Sequence, residues 1–175
     1  MSYSAQKGFF VKPKLGVSIN YGHPISRGLT GLWLMNEGGG KKVFDLARAD
    51  GGRNDADLIN LDTAKDWLGS PMGGAPNLDG TNKCLLVPDP QTDIFDGTPG
   101  FTVACWCWPR TLNSTISPYL RGLVSKYGVL SGNWVLRFGN GASGNYDKPN
   151  FLLFNQAALS NSIVSAKSYS VGKLY

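Results

Sequence analysis

The chain has 175 residues, 23 of them glycine and 10 proline, with 11% aromatic and 17% charged residues and a net charge of +5. That length suits one domain of ordinary size with a tail, and the composition favours many short strands joined by tight turns over a helical protein. No apolar run of about 18 residues is present, and the opening MSYSAQKGFFVKPK has neither the apolar core nor the cleavage site of a secretory leader, so neither membrane insertion nor export is expected.

Residues 1–28 keep no helical or strand period and read as an extended basic arm. Its charges, with those of the residues up to 36, are Lys7, Lys12, Lys14 and Arg27, without a single acid. Such an arm docks on an acidic protein surface or on nucleic acid, or serves only as a solvated leader. Phe9, Phe10 and Val11 add an apolar patch for which a disordered tail has no use. Together with Lys12 and Lys14 they are the candidate assembly residues. His23, the one histidine, precedes Pro24 and reads as a turn or contact residue.

From Leu29 a domain of residues 29–175 begins. LTGLWLMNEGGG predicts a short strand around Leu32, Trp33 and Leu34, stopped by three glycines, and KKVFDLA predicts a second strand ending at Asp45. ARADGGRNDADLIN reads as a long surface loop. Asp45, Asn54 and Asp55 are the candidate ligands of a structural calcium ion, because hard carboxylate and amide oxygens gather there. Interleaved Arg48 and Arg53 and the absence of an EF-hand spacing speak for ordinary turn formers instead. Further on, Asp79-Gly80 predicts a turn and Cys84 to Val87 a strand, followed by an irregular connection in QTDIFDGTPG with one helical turn.

FTVACWCWP is the strongest strand in the sequence. Both of its faces are apolar, which predicts a place inside a sandwich with Trp106 buried. Cys105 and Cys107 point the same way along it, so a bridge between them is not expected, and three clustered cysteines predict reduced thiols made in a cytosol. LRGLVSKYG, GNWVLRFG and NFLLFN supply a meander of antiparallel strands, and SIVSAKSYSVGKLY begins another. Trp33, Trp106 and Trp134 lie within strand patterns, whereas Trp67 and Trp108, nearer strand ends, and Tyr146 in the loop GASGNYDKPN are the candidate glycan-stacking residues.

No catalytic set emerges from these residues. A retaining glycosidase needs two carboxylates about 5 Å apart, and Glu37 is the one glutamate among twelve acids, with no acidic pair on a central strand. The cysteines and serines have no recognisable nucleophile motif with a histidine partner. Cys-x-Cys lacks the further ligands of a zinc site, and GGGKK lacks the spacing of a phosphate loop.

In their order, GLTGLWLMNEGGGKKVFDL, GGRNDADLIN, LDGTNKCLLVPD and GFTVACWCWP resemble the blocks of the laminin-G-like, concanavalin-A-like jelly-roll family. The resemblance covers residues 29–175 and implies an all-β antiparallel sandwich. GKLY resembles the start of a later family strand, so the sandwich is expected to be C-terminally incomplete. The leader KPKLGVSINYGHPISRGLTGLWLMNEGGG is similar to openings of such domains in tailed-bacteriophage genomes. That likeness implies a non-enzymatic virion structural protein, a capsid decoration or tail component, made in the host cytoplasm. Its partners would be other virion proteins and further copies of itself, with host-surface glycan as an additional ligand and nucleic acid not expected. The other reading is a carbohydrate-binding, lectin-like module that works with or without calcium.

Overall fold

A computed structural model describes residues 12–47, 54–70, 72–88, 100–110, 122–126, 133–138, 148–154 and 160–164. The chain is all-β: every ladder is antiparallel, and the one helical element among the described residues is a 3₁₀ turn at Pro24–Ser26. Two compact units divide it, Met1–Ile94 and Phe95–Tyr175. Among the described residues no helix is long and apolar enough to cross a membrane.

The first unit holds β1 (Lys42–Val43), β2 (Ala56–Ile59), β3 (Trp67–Ser70), β4 (Gly73–Pro76) and β5 (Cys84–Leu86). A three-stranded sheet runs in the order β1-β2-β5, and β3 and β4 form a separate hairpin. Alternation along β2 sets the core, since Ala56 and Leu58 point inward and meet Val43 of β1. Trp33, Met35, Leu61, Trp67, Leu85 and Val87 pack around those three. Leu32 to Leu34, expected to be a strand, contributes only an isolated antiparallel bridge between Trp33 and Asp45.

The bridge is held by a buried carboxylate. Asp45 is 1% exposed, and its Oδ1 accepts from the amides of Leu32 and Ala47, each at 2.9 Å, while Oδ2 accepts from Asn54 at 3.3 Å. In return the Asp45 amide donates to Asp55 Oδ1 at 2.9 Å, and the Trp33 indole donates to the Asn54 carbonyl at 2.8 Å. Gly31 lies beneath that indole, where a Cβ would collide with the ring carbons. Three segments distant in sequence are thereby tied at one point.

Turn chemistry closes the rest of this unit. Asp79 Oδ1 accepts from the amides of Thr81, Asn82 and Lys83 at 2.8 to 3.2 Å, and Gly80 takes the left-handed conformation the turn requires. Asp62 and Asp66 close a second turn, with the Asp62 amide donating to Asp66 Oδ2 at 2.7 Å and the Ala64 amide to Asp62 Oδ1 at 3.0 Å. The two turns are joined by an ion pair of 2.9 Å from Lys83 to the buried Asp66.

The second unit contains β6 (Gly122–Lys126), β7 (Asn133–Phe138), β8 (Pro149–Phe154) and β9 (Ser160–Val164) in a meander ordered β6-β7-β8-β9. This is the antiparallel meander the sequence predicts. Trp134 is buried on one face, with Phe101 and Phe151 at ring-centroid distances of 5.6 and 6.1 Å. Residues 100–109 join no ladder, and exposure alternates along them. Trp106 is 67% exposed, which corrects the expected burial between two sheets. The irregular connection expected at QTDIFDGTPG lies almost wholly outside the described residues.

Removing the Asp45 carboxylate strands the amides that it satisfies. Asp45→Ala is expected to lower the unfolding free energy by about 1–3 kcal/mol, and Asp45→Asn by less, as read from urea denaturation. A second expectation concerns acid. Lys83 holds the Asp66 carboxyl below the usual range, helped by the Asp62 amide, and the Ala64 and Thr81 amides do the same for Asp62 and Asp79. Depressed carboxyls contribute stability above the ordinary carboxylate pKa of about 4 and lose it as pH falls through their folded values. Thermal unfolding should therefore show a plateau near neutrality and a steep decline below about pH 4, shallower in Asp66→Asn.

Candidate functional site

The leader is fastened to the first unit from Lys12 onward. Its amide donates to the Met72 carbonyl at 3.0 Å, and its ammonium donates to the carbonyls of Gly74 at 2.6 Å and Met35 at 3.0 Å. Burial pushes the Lys12 ammonium below the ordinary lysine range, and the Glu37 carboxylate offsets part of that shift. Asn36 Nδ2 donates to the Pro13 carbonyl at 2.6 Å, and the Tyr21 hydroxyl reaches the Leu46 carbonyl at 3.4 Å. Between those fastenings the chain turns at Gly16, whose positive φ of 87° suits glycine.

That turn builds a groove of about 420 Å³ lined by Lys14, Leu15, Gly16, Val17, Asn36, Glu37, Phe44 and Leu46. Its apolar rim is open to solvent, with Leu15 60% exposed and Val17 and Phe44 about two-fifths exposed. Glu37 Oε1 accepts from the Phe44 amide at 2.9 Å, whereas its Oε2 is buried without a hydrogen-bond partner among the described residues. Glu37 thus fixes the wall that Phe44 presents. His23 is absorbed by the next turn, its Nδ1 accepting from the Ile25 amide at 3.3 Å.

Of the candidate assembly residues, Lys14 lines the groove and Lys12 is spent on carbonyls of its own unit, while Phe9, Phe10 and Val11 lie outside the described residues. The structure does bring Asp45, Asn54 and Asp55 together. Their carbonyl and carboxylate oxygens nevertheless accept from Trp33 and from backbone amides, as described above. Among the described residues no group of three His, Cys, Asp or Glu side chains is placed to hold a metal ion.

Trp67 sits in β3, half-buried against the core, with its indole 3.5 Å from the Gly40 carbonyl. Trp108 is half-buried with an indole N–H that finds no acceptor among the described residues, and Tyr146 lies outside them. The groove itself escapes a sequence reading because Leu15 and Val17 stand in a segment without periodicity, and no local pattern pairs them with Phe44. Compared with known protein families, with curated proteins and with solved structures, the chain matches none.

The thiols give a check on the second unit. Burial raises the Cys105 and Cys107 thiols, the latter to about 11 with the help of its neighbour, while Cys84 is exposed on β5. Titration with a chromogenic disulfide at neutral pH should show one fast thiol, removed by Cys84→Ser, and two slow ones that react fully only on unfolding.

Proposed function

We propose that the chain is a non-enzymatic virion structural protein of a tailed phage, a capsid-decoration or tail-associated component that docks through its N-terminal segment. In this reading its sheets belong to a concanavalin-A-like jelly roll carried at the particle surface, and its partners are other virion proteins and further copies of itself. The observation that carries the docking part is the groove of Leu15, Val17, Phe44 and Leu46. Leu15, Val17 and Phe44 of that groove are exposed, and apolar surface gathered at one place marks an interaction site.

The virion part rests on the leader's resemblance to phage-encoded openings. Support for a non-catalytic role comes from the sequence, whose one histidine and one glutamate form no recognisable acid–base or nucleophile motif.

Incorporation into particles provides the test. Leu15→Asp with Val17→Asp makes the groove polar at exposed positions and should leave the circular-dichroism spectrum intact. Mass spectrometry of purified particles should then find the doubly substituted chain reduced at least about tenfold, as expected when an apolar anchor is lost. Particles of the encoding virus that lack the chain altogether, or that take up the substituted chain in full, would overturn the reading.

A further inference from the structure

Arginine is almost never taken out of water without carboxylate or carbonyl oxygens to meet its donors. Arg137, in β7, is an exception: it is only 9% exposed, and its Nε–H is buried without an acceptor among the described residues. The ion pairs of the described residues involve Lys42, Lys65 and Lys83, and none reaches Arg137. No acidic residue occurs in β6, β7, β8 or β9.

The shortage of counter-charge extends over the whole second unit. Residues before Phe95 hold ten basic and ten acidic side chains and those from Phe95 onward seven and two, so the entire excess of +5 belongs to the second unit. Alternation along β7 puts Trp134 and Leu136 on one face and Val135 and Arg137 on the other. Phe101 and Phe151 lie against Trp134, on the face away from the guanidinium. On the Arg137 face, β6 contributes Gly122, directly opposite Arg137, and Ser125, opposite Val135, and both are exposed.

We propose that Arg137 anchors a binding site for a carboxylate-bearing small molecule on the Gly122–Ser125 flank of this sheet. A carboxylate entering over Gly122 accepts from Nε and one Nη, the paired hydrogen bonds that the planar fork of arginine offers. Gly122 has no side chain to close that approach, and the positive surplus of the unit draws anions toward it. A single charge is met there, because Gly122, Ser125 and Val135 add no second cation, and this favours a monoanion over phosphate. Ser125 offers a hydroxyl to the body of such a molecule. The site lies in the second unit and the leader groove in the first, so it does not rest on the docking proposed above.

Titration of the full chain with acetate at about pH 6, followed through the arginine Nε–H resonances, tests the site. The resonance that disappears in Arg137→Met should move saturably with acetate and stay in place with chloride at the same ionic strength. In Gly122→Leu the new Cβ would stand 3.7 Å from the Val135 side chain, an ordinary contact, so the fold should be kept while acetate affinity falls at least about tenfold. Stability gives an independent readout. Without acetate, Arg137→Met should melt no lower than the wild type, since an apolar chain replaces an unpaired buried charge, and acetate should raise only the wild-type midpoint. An Nε–H resonance indifferent to acetate, an equal response to phosphate or chloride, or a folded Gly122→Leu that binds acetate as before would overturn the proposal. So would an Arg137→Met that melts well below the wild type or fails to fold, because the guanidinium would then be satisfied within the chain. Where Gly122→Leu loses its fold, the comparison of Arg137→Met with the wild type decides.

Discussion

The first unit depends on a carboxylate taken out of water. Asp45 lies two residues beyond a strand itself only two residues long, and that strand could not by itself hold Trp33 against the sheet. Three backbone amides converge on its two oxygens and return much of the solvation that burial removes. Because those amides belong to Leu32, Ala47 and Asn54, one side chain fixes the entry to β1, its exit and the approach to β2. The apolar core, a small cluster around Val43, Ala56 and Leu58, is then assembled on a frame already set by hydrogen bonds.

The same economy shapes the leader. Lys12 is an ammonium used as a bracket: two of its three donors go to the carbonyls of Met35 and Gly74, and Glu37 lies near enough to moderate the cost of burying it. Met35 holds a positive φ of 54°, a strained conformation for a side chain of its size, at the residue whose carbonyl Lys12 receives. The charge of the leader therefore acts inward at Lys12 and outward at Lys14, where the apolar rim begins.

Much of the β architecture was legible from residues alone. The Asp79-Gly80 turn, the strand after it and the meander through Trp134 and Phe151 follow from turn chemistry and alternation, both of which are local. The hairpin of β3 and β4 was not legible, since Gly73, Gly74 and Pro76 have low strand propensity and the pairing is secured by Ser70, whose hydroxyl donates to the Gly73 carbonyl at 2.6 Å. The amides that Asp45 and Asp55 accept from were not legible around Asp45, Asn54 and Asp55, because a carboxylate that caps amides and one that binds a cation look alike in sequence. Phe101 to Trp108 shows the opposite failure. Its pattern announces a strand strongly, and whether another strand lies beside it is a property of the tertiary structure that alternation cannot encode.

The Lys12 bracket also orders events in time. Its carbonyl partners lie 23 and 62 residues downstream, so during synthesis Lys12 has no complete seat until Gly74 has emerged. The hairpin of β3 and β4 must be in place before the ammonium can dehydrate against it. Made before its partners, this segment settles only after them, and its apolar side chains stay available to chaperones or premature contacts through that interval.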